Sequence, residues 1–375
     1  MGMRRILAID AGNSKTDVAV VSADDGAVLG SARGGGFRPP SVGVATAVGM
    51  LAGVVEEALA RAAGGRSGRD RPGGRGPGDP GAAGAAGASG AAGASRVVEA
   101  AGAAGTAVAA GGPDGPAVVH VSACLANADL PAEERELTRA LETRGWGASV
   151  TVRNDTFALL RAGVDEPRGV AVVCGAGVNC AGLLPDGRTA RFPALGRISG
   201  DWGGGAGLAE EALWHASRAE DGRGEPTALA RALPEHFGLD SVLALVEALH
   251  LGRIPAERRH ELVPVLFAVA ADGDAVADGL VERMAREAVA MAVVAMDRLS
   301  LREAVEPVPV VLGGGVLAAG HEGLMTRIVA LLRREAPMAE PRVVTAPPVL
   351  GAALLGLDRV GAGPGAAERL RAALS

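Results

Sequence analysis

The sequence contains no tyrosine and far more arginine than lysine, a skew that reads as GC-rich coding bias rather than as function. It has three cysteines (Cys124, Cys174, Cys180) and neither a CxxC pair nor a Cys/His cluster. That argues against a structural zinc site and suits a reducing cytoplasm. No basic run offsets the formal net charge of −6, so nucleic acid is not an expected partner. No apolar run reaches the ~20 residues of a spanning helix, and no membrane partner is expected either. The chain enters a strand almost at once, so neither a signal peptide nor an N-terminal DNA-binding module is expected. Ile6 stands where a myristoylation signal wants Ser or Thr. A soluble cytoplasmic protein is the expectation.

What is present reads as α/β. At 375 residues, with 48% hydrophobic and 21% charged content, the chain is globular and long enough for two domains. The first ~35 residues alternate strand and turn, with a hairpin signal at Asp24-Asp25-Gly26. Apolar residues then recur at helical spacing from Ser41 to Ala63, before a glycine stop. Gly64 to Ser95 is almost entirely Gly, Ala, Arg, Pro and Ser, too poor in apolar surface to offset its chain entropy. It reads as a flexible surface insertion. A helix from about Arg96 is expected next. Then come a strand at Ala117–Ala123, a helix at Ala132–Arg144, a strand at Ser149–Asp155 and a helix in "TFALLRAG".

A second strand-rich unit opens at "GVAVVCGAGVNCAGLLPDGR", and the stretch from Gly207 to about Arg302 is mostly helical. The strand "PVPVVLGG" runs into a glycine turn and the helix "GVLAAGHEGLMTRIVALL", and "VLGAALLGLDRV" is a closing helix. The repeated order, β-turn-β and then helices, implies two similar α/β domains with a cleft between them. The expected division is 1–165, with the insertion 64–95 and a completing C-terminal helix 347–375, and 166–346. Among single residues, His120 reads as a core histidine and Trp146 as a core plug. Trp202 fits either a sugar face or packing. The acidic helix "LPAEERELTRALE" reads as a solvated face with i,i+4 pairs.

Three glycine turns carry the chemistry. In "LAIDAGNSKTDVAVV" the backbone N–H groups from Gly12 through Asn13, Ser14 and Lys15 to Thr16 can converge on one anion. Ser14 and Thr16 add hydroxyls and Lys15 a charge. Asp10, at the strand end, suits Mg²⁺, a hard cation that takes oxygen ligands beside phosphate. By itself the turn fits a surface hairpin equally well. The second turn, Gly175-Ala176-Gly177-Val178-Asn179, also follows an apolar strand and lets amides approach phosphate closely. The third, Gly313-Gly314-Gly315, sits at a strand-to-helix junction. The first turn has neither the Walker A nor the Rossmann spacing. Asp155 opens a helix at a strand end, where it can accept a proton or simply cap the helix.

Taken in order, "DAGNSKTD", "RNDTFALLRAG", "VVCGAGVNCAGLLPDGR", "GRISGDWGGGAGLAEEAL" and "VVLGGGV" resemble the BadF/BadG/BcrA/BcrD-type ATPases, closest to their N-acetylglucosamine kinase branch. The resemblance covers nearly the whole chain except the insertion. It implies two duplicated ribonuclease H-like, actin-like ATPase domains, ATP and Mg²⁺ as cofactors, and a homodimer. The implied reaction is phosphorylation of an amino sugar at its 6-hydroxyl, with Asp155 as catalytic base. Asn154, Asn179, Cys180 and Asp201 would then face the sugar. Arg38 and Pro40 stand where the family has asparagines. Arg38 offers a cationic fork for an acidic sugar, or else faces solvent. Two other readings stay open. One is an ATPase activator of a 2-hydroxyacyl-CoA dehydratase or benzoyl-CoA reductase system, which needs cluster-binding cysteines. The other is a sugar-responsive regulator, which needs a DNA-binding module.

Overall fold

The computed structural model describes residues 3–64 and 118–374. The helix expected from about Arg96, and nearly all of the 64–95 insertion, lie outside the described residues.

The first lobe starts with the strands β1 (Arg5–Ala11), β2 (Lys15–Ser22) and β3 (Val28–Gly35), followed by α1 (Pro39–Val42) and α2 (Val44–Gly64). Next come β4 (Val118–Leu125), α3 (Pro131–Glu142), β5 (Val150–Asn154) and α4 (Thr156–Ala162). Then follow β6 (Gly169–Cys174), β7 (Val178–Leu183), β8 (Thr189–Arg191), and the helices α5 (Gly204–Glu220), α6 (Leu229–His236), α7 (Val242–His250), α8 (Leu262–Ala271) and α9 (Ala275–Arg298). The chain ends with β9 (Val308–Gly313), α10 (Gly315–Ala318), α11 (Glu322–Glu335), β10 (Ala339–Val343), α12 (Pro348–Arg359) and α13 (Pro364–Leu374).

Among the described residues the strands form two five-stranded sheets, ordered β3-β2-β1-β4-β5 and β10-β9-β6-β7-β8. In each, three strands meander antiparallel and two more join in parallel beside the first. The same topology occurs twice, so the fold is a duplicated α/β architecture.

The layering follows from side-chain alternation along the central strands. On β1, Leu7 and Ile9 pack with Leu51 and Val55 of α2, while Ile6 and Ala8 pack with Leu350 and Leu354 of α12. On β6, Val170 and Val172 face the large helical layer of α5 to α9, while Ala171 packs with Leu160 of α4. Both faces are covered, which is why these strands read as unbroken apolar runs. Helices α4 and α12 thus form a shared layer between the sheets. Every residue of α4 is buried, including Arg161, which holds Asp358 of α12 in a two-bonded ion pair of 2.7 and 3.1 Å.

Three elements differ from the sequence reading. The closing segment is two helices, because Gly361 takes a left-handed φ of 65° between α12 and α13. The long helix expected after the third glycine turn breaks in the same way at Gly320, φ 66°, into α10 and α11. Helix α3 is not merely a solvated face. Glu133 accepts the N–H groups of Asp129 and Leu130, and Glu134 pairs with Arg191 of the other sheet at 2.6 Å.

The close crossing of α4 and α12 needs Gly351, since a Cβ there would lie 1.7 Å from the Ala158 carbonyl oxygen. Gly351→Ala should destabilise by about 1–3 kcal/mol through overpacking. Gly279→Ala, on an open surface of α9, should instead stabilise by about 0.5–1 kcal/mol through helix propensity. Urea unfolding midpoints check both signs.

Candidate active site

The parallel strands β1, β4 and β5 of one sheet and β6 and β9 of the other end in loops and glycine turns, the usual place for a site in such sheets. The first turn closes on itself through Gly12 N–H to the Lys15 carbonyl, 2.9 Å. It is then anchored from outside. Phe37 N–H donates to the Gly12 carbonyl at 2.9 Å, and Arg38 Nε to the Asn13 carbonyl at 2.7 Å. Asn127, at a left-handed φ of 62°, donates Nδ2 to Asn13 Oδ1 at 3.0 Å.

The expected cradle of Gly12 to Thr16 is therefore narrower. Gly12 N–H is used by the turn, and buried Thr16 donates its hydroxyl to the Gly35 carbonyl at 2.8 Å. Lys15 pairs with Asp17 at 3.2 Å, and Asp17 also holds Arg33, so Asp17 pins the turn. What remains are the N–H groups of Asn13 and Ser14, which meet no acceptor among the described residues, and the Ser14 hydroxyl. One signal for this turn is easily overlooked: Lys15 is the single lysine among 37 Lys and Arg residues.

The second and third turns touch one another and the start of α5. Gly205 and Ala206 N–H groups donate to the carbonyls of Gly175 and Ala176 at 2.7 and 2.9 Å. Carbonyls of the second turn thus satisfy the free donors of the α5 N-terminus. Among the described residues the exposed N–H groups of Ala176 and Gly177 meet no acceptor. Gly204, φ 70°, lies so close that a Cβ would be 2.4 Å from the Gly177 backbone. Gly314, φ 82°, likewise abuts Cys174, with a Cβ distance of 2.5 Å. Gly313 is buried and Gly315 opens α10. Gly204 and Gly205, within the motif "GRISGDWGGGAGLAEEAL", thus shape the second turn, a role that no turn signal in the sequence assigns to them.

Three acids meet where these strands end. Asp10 is 6% exposed, and its carboxyl is pushed up to about 8 by burial first, then by Asp155 and Asp17, against the pull of Lys15. Burial raises Asp155 to about 6, against the N–H dipoles of Thr156 and of Asp155 itself. Its carboxylate does not cap α4. Asn154 takes the Thr156 N–H instead, at 2.9 Å. Asp129 rises to about 7, through burial, Asp155 and Glu133, with Arg191 lowering it. No sequence signal above singles out Asp129; the only hint was a polar pair, Asn127 and Asp129, just past the end of a parallel strand.

The remaining candidates divide. Asn154 is buried and fully drawn into the protein: Nδ2 donates to Asp129 Oδ1 at 2.7 Å, and Oδ1 also accepts Asn179 Nδ2 at 3.1 Å. Asn179 therefore spans from the second sheet to the first. Asp201 closes its own loop by accepting from Ser199 Oγ at 2.5 Å and Gly196 N–H at 3.1 Å, and its charge reaches Asp129. Arg38 is exposed and braces the first turn through Nε alone. Cys180 does not belong to the site. Strand alternation points it opposite to Asn179 into the core, where its thiol meets the Met291 carbonyl at 3.6 Å and burial pushes it far above its ordinary range. Trp202 packs, with Arg283 over its ring at 4.2 Å. His120 is a satisfied core histidine, 2.9 Å from Ser149 Oγ and pushed down to about 4 by burial.

Among the described residues no group of three or more His, Cys, Asp or Glu is arranged to hold a metal. The donor set still fits Mg²⁺, which keeps most of its waters and takes one or two carboxylates plus phosphate oxygens. Asp10 supplies a desolvated carboxylate for it, with Asp155 nearby. No helix among the described residues is long and apolar enough to cross a membrane.

Paired glycine turns, a glycine strand-to-helix junction and strand-end acids around one cleft define a two-lobed nucleotide-binding ATPase of the duplicated α/β kind. The chain belongs to the BadF/BadG/BcrA/BcrD ATPase family, which it matches over residues 7–356. It is similar to an N-acetylmuramic acid/N-acetylglucosamine kinase of Clostridium acetobutylicum, 26% identical over 192 residues. That match spans 51% of this chain and 62% of the relative's own length. An N-acetyl-D-glucosamine kinase of Dictyostelium discoideum is 25% identical over 243 residues, covering 63% and 75% of the two chains. The crystal structure of a candidate N-acetylglucosamine kinase from Chromobacterium violaceum superposes with a TM-score of 0.61 at 21% identity, covering 95% of this chain and 99% of that one. The fold is thus the actin-like ATPase architecture expected from the sequence.

Asp10 gives a testable pH dependence. The folded protein keeps its proton up to about pH 8, whereas an unfolded aspartate releases it near 3.8. The folded state binds more protons across that window, so stability falls as pH rises through it. Asp155 acts in the same direction between 3.8 and about 6. Asp10→Asn should stabilise the ligand-free protein at pH 8 by about 1–3 kcal/mol, because it removes a buried charge. It should also flatten the decline between pH 4 and 8, measured by urea unfolding across that range.

Proposed function

We propose that this protein is an ATP-dependent sugar kinase that transfers the γ-phosphoryl group to the 6-hydroxyl of an amino sugar, N-acetylglucosamine or a close relative. The observation that carries the reading is the Asp155 carboxylate. It stands at the end of β5, free of the capping role that Asn154 performs, with its proton affinity lifted to about 6. At neutral pH it is a carboxylate basic enough to take a hydroxyl proton in the transition state.

In this reading the N–H groups of Asn13 and Ser14, and those of Ala176 and Gly177, hold the phosphates from opposite lobes. Gly314 and Gly315 lie on the adenosine side. Asp10 is the ligand through which Mg²⁺ would be held, and the ion would supply charge neutralisation of the β- and γ-phosphates. The sugar oxygen forms the new bond to phosphorus as its proton passes to Asp155, and the bond from the γ-phosphorus to the oxygen of ADP breaks. The lobes divide near residue 165, with α12 and α13 returning to the first. Asn179, Asn154 and Asp201 lie at the sugar end, and Arg38 stands at its rim beside the first turn, where its guanidinium would meet a carboxylate on an acidic amino sugar.

The activator reading loses support, since Cys124, Cys174 and Cys180 are all buried in strands. Burial raises the Cys174 thiol to about 12, so none is poised as an exposed cluster ligand.

A coupled ADP-release assay across neutral and carboxylated amino sugars tests the proposal. Wild-type protein should show sugar-dependent release, and Asp155→Asn should lose about 10²–10⁴ of kcat. The wild-type rate should fall as pH drops below about 6, the Asp155 value. Absence of stimulation by every sugar, or full activity in Asp155→Asn, sinks the kinase reading.

A further inference from the structure

We propose that Arg191 is a positioning residue that makes closure of the two lobes a condition for ordering the Asp129–Asn154 pair beside Asp155. The inference rests on the kinase reading and adds to it the element that senses closure.

Arg191 is the last residue of β8, the edge strand of the second sheet. Its guanidinium crosses to the first lobe. Nη1 donates to Glu134 Oε2 at 2.6 Å, and Nη2 donates to the carbonyls of Ala128 and Asp129 at 3.1 and 3.2 Å. The root of the side chain is fixed from behind, because Arg298 of α9 donates Nη1 to the Arg191 carbonyl at 2.7 Å and stacks on Phe192. This is a planar fork held at its base and spread over three acceptors, a use of arginine that lysine cannot reproduce.

The receiving loop is shaped by its own helix, through Glu133 to the N–H groups of Asp129 and Leu130. Among the described residues, Arg191 provides the only hydrogen bonds to the Ala128 and Asp129 carbonyls. From the same loop, Asp129 accepts from Asn154, and Asn154 accepts from Asn179 of β7. Strand β7 is the neighbour of β8, with Ala181 paired to Arg191. The bonds therefore leave the second sheet at Arg191, pass through Asp129 and Asn154, and return to it at Asn179. If the lobes swing apart, both crossings break together, and the loop bearing Asp129 loses its partner from the other lobe.

The same geometry sets the charge on Asp129. The groups that face it are Asp155 at the β5 end, Glu133 on α3, Asp201 ahead of α5, and Arg191 on β8, the cation among them. With Arg191 removed, the acids act on Asp129 unopposed and it holds its proton to higher pH.

Arg191→Ala, Arg191→Lys and Glu134→Gln test this, with thermal melting as a check on folding. In Arg191→Ala the sugar KM should rise about tenfold or more, near the ~1.4 kcal/mol that tenfold represents, while ATP binding by calorimetry stays unchanged. The ratio of ADP released to sugar phosphorylated should rise above one, and the pH profile of kcat/KM should move to higher pH. Arg191→Lys should restore only part of the loss, and Glu134→Gln should fall between. A folded Arg191→Ala with wild-type KM, coupling and pH profile overturns the proposal. X-ray scattering separates this outcome from failure of the kinase reading. Ligand-free Arg191→Ala should have a larger radius of gyration than wild type whether or not any sugar is phosphorylated, and equal radii also overturn the proposal. A wild type inactive on every sugar would instead count against the kinase reading alone.

Discussion

Three carboxylates, on Asp10, Asp129 and Asp155, share one cleft with less positive charge around them than they require. Burial is the first cause of the upward shift at each, and the charge of Asp155 adds to it at the other two. The opposing charges are Lys15 on Asp10 and Arg191 on Asp129, and at Asp155 only the N–H dipoles of Thr156 and Asp155 oppose the shift. Such an arrangement is unfavourable until something brings protons or cations to it, and that is the condition under which an acidic site binds a metal–phosphate complex or accepts a proton. The acids cannot relax away. Asp10 is the penultimate residue of a strand packed on both faces, Asp155 follows another strand directly, and Asp129 is held by Glu133 from below and Arg191 from across the cleft.

This constraint explains the shared layer of α4 and α12. The acids belong to the first sheet and most of the glycine junctions to the second, so the sheets must keep a fixed relation without merging their cores. Helix α4 is buried on all sides for that purpose, and Gly351 lets α12 approach it to backbone contact. The ion pair between buried Arg161 and solvent-accessible Asp358 then orients one helix on the other. Removing Asp358 would strand the buried Arg161 charge, so the pair acts as a register device between the two helices.

The backbone plan was legible in the sequence because it rests on short-range physics. Apolar runs long enough for strands, helical spacing, and the glycine and Asp-Gly turns placed nearly every element of both sheets, and the repeated order showed the duplication. The two misread helices failed at Gly320 and Gly361, where a single left-handed residue broke an otherwise continuous helical pattern. Side-chain roles were less legible, for a different reason. Thr16 and Cys180 match a motif by position, yet strand alternation turns their side chains into the protein. Asp129 and Arg191 carry no motif at all; their importance comes from a contact between residues 62 apart, which no local pattern encodes.

The second turn shows what such contacts do for a backbone site. Ala176 and Val178 supply no hydroxyls to it. In the folded protein the turn does not depend on hydroxyls for its shape. Its carbonyls are taken by the first N–H groups of α5, and Gly204 and Gly314 press against it from two sides. Peptide planes whose carbonyls are fixed in this way have their N–H groups fixed as well, and fixed donors cost little reorganisation when an anion arrives. The first turn reaches the same end by other means, through Phe37, Arg38 and Asn127 bonding to it from outside. Rigidity of the backbone is therefore the common property of the two turns, and Gly204, Gly205 and Gly314 matter to the second turn more than the side chains it lacks.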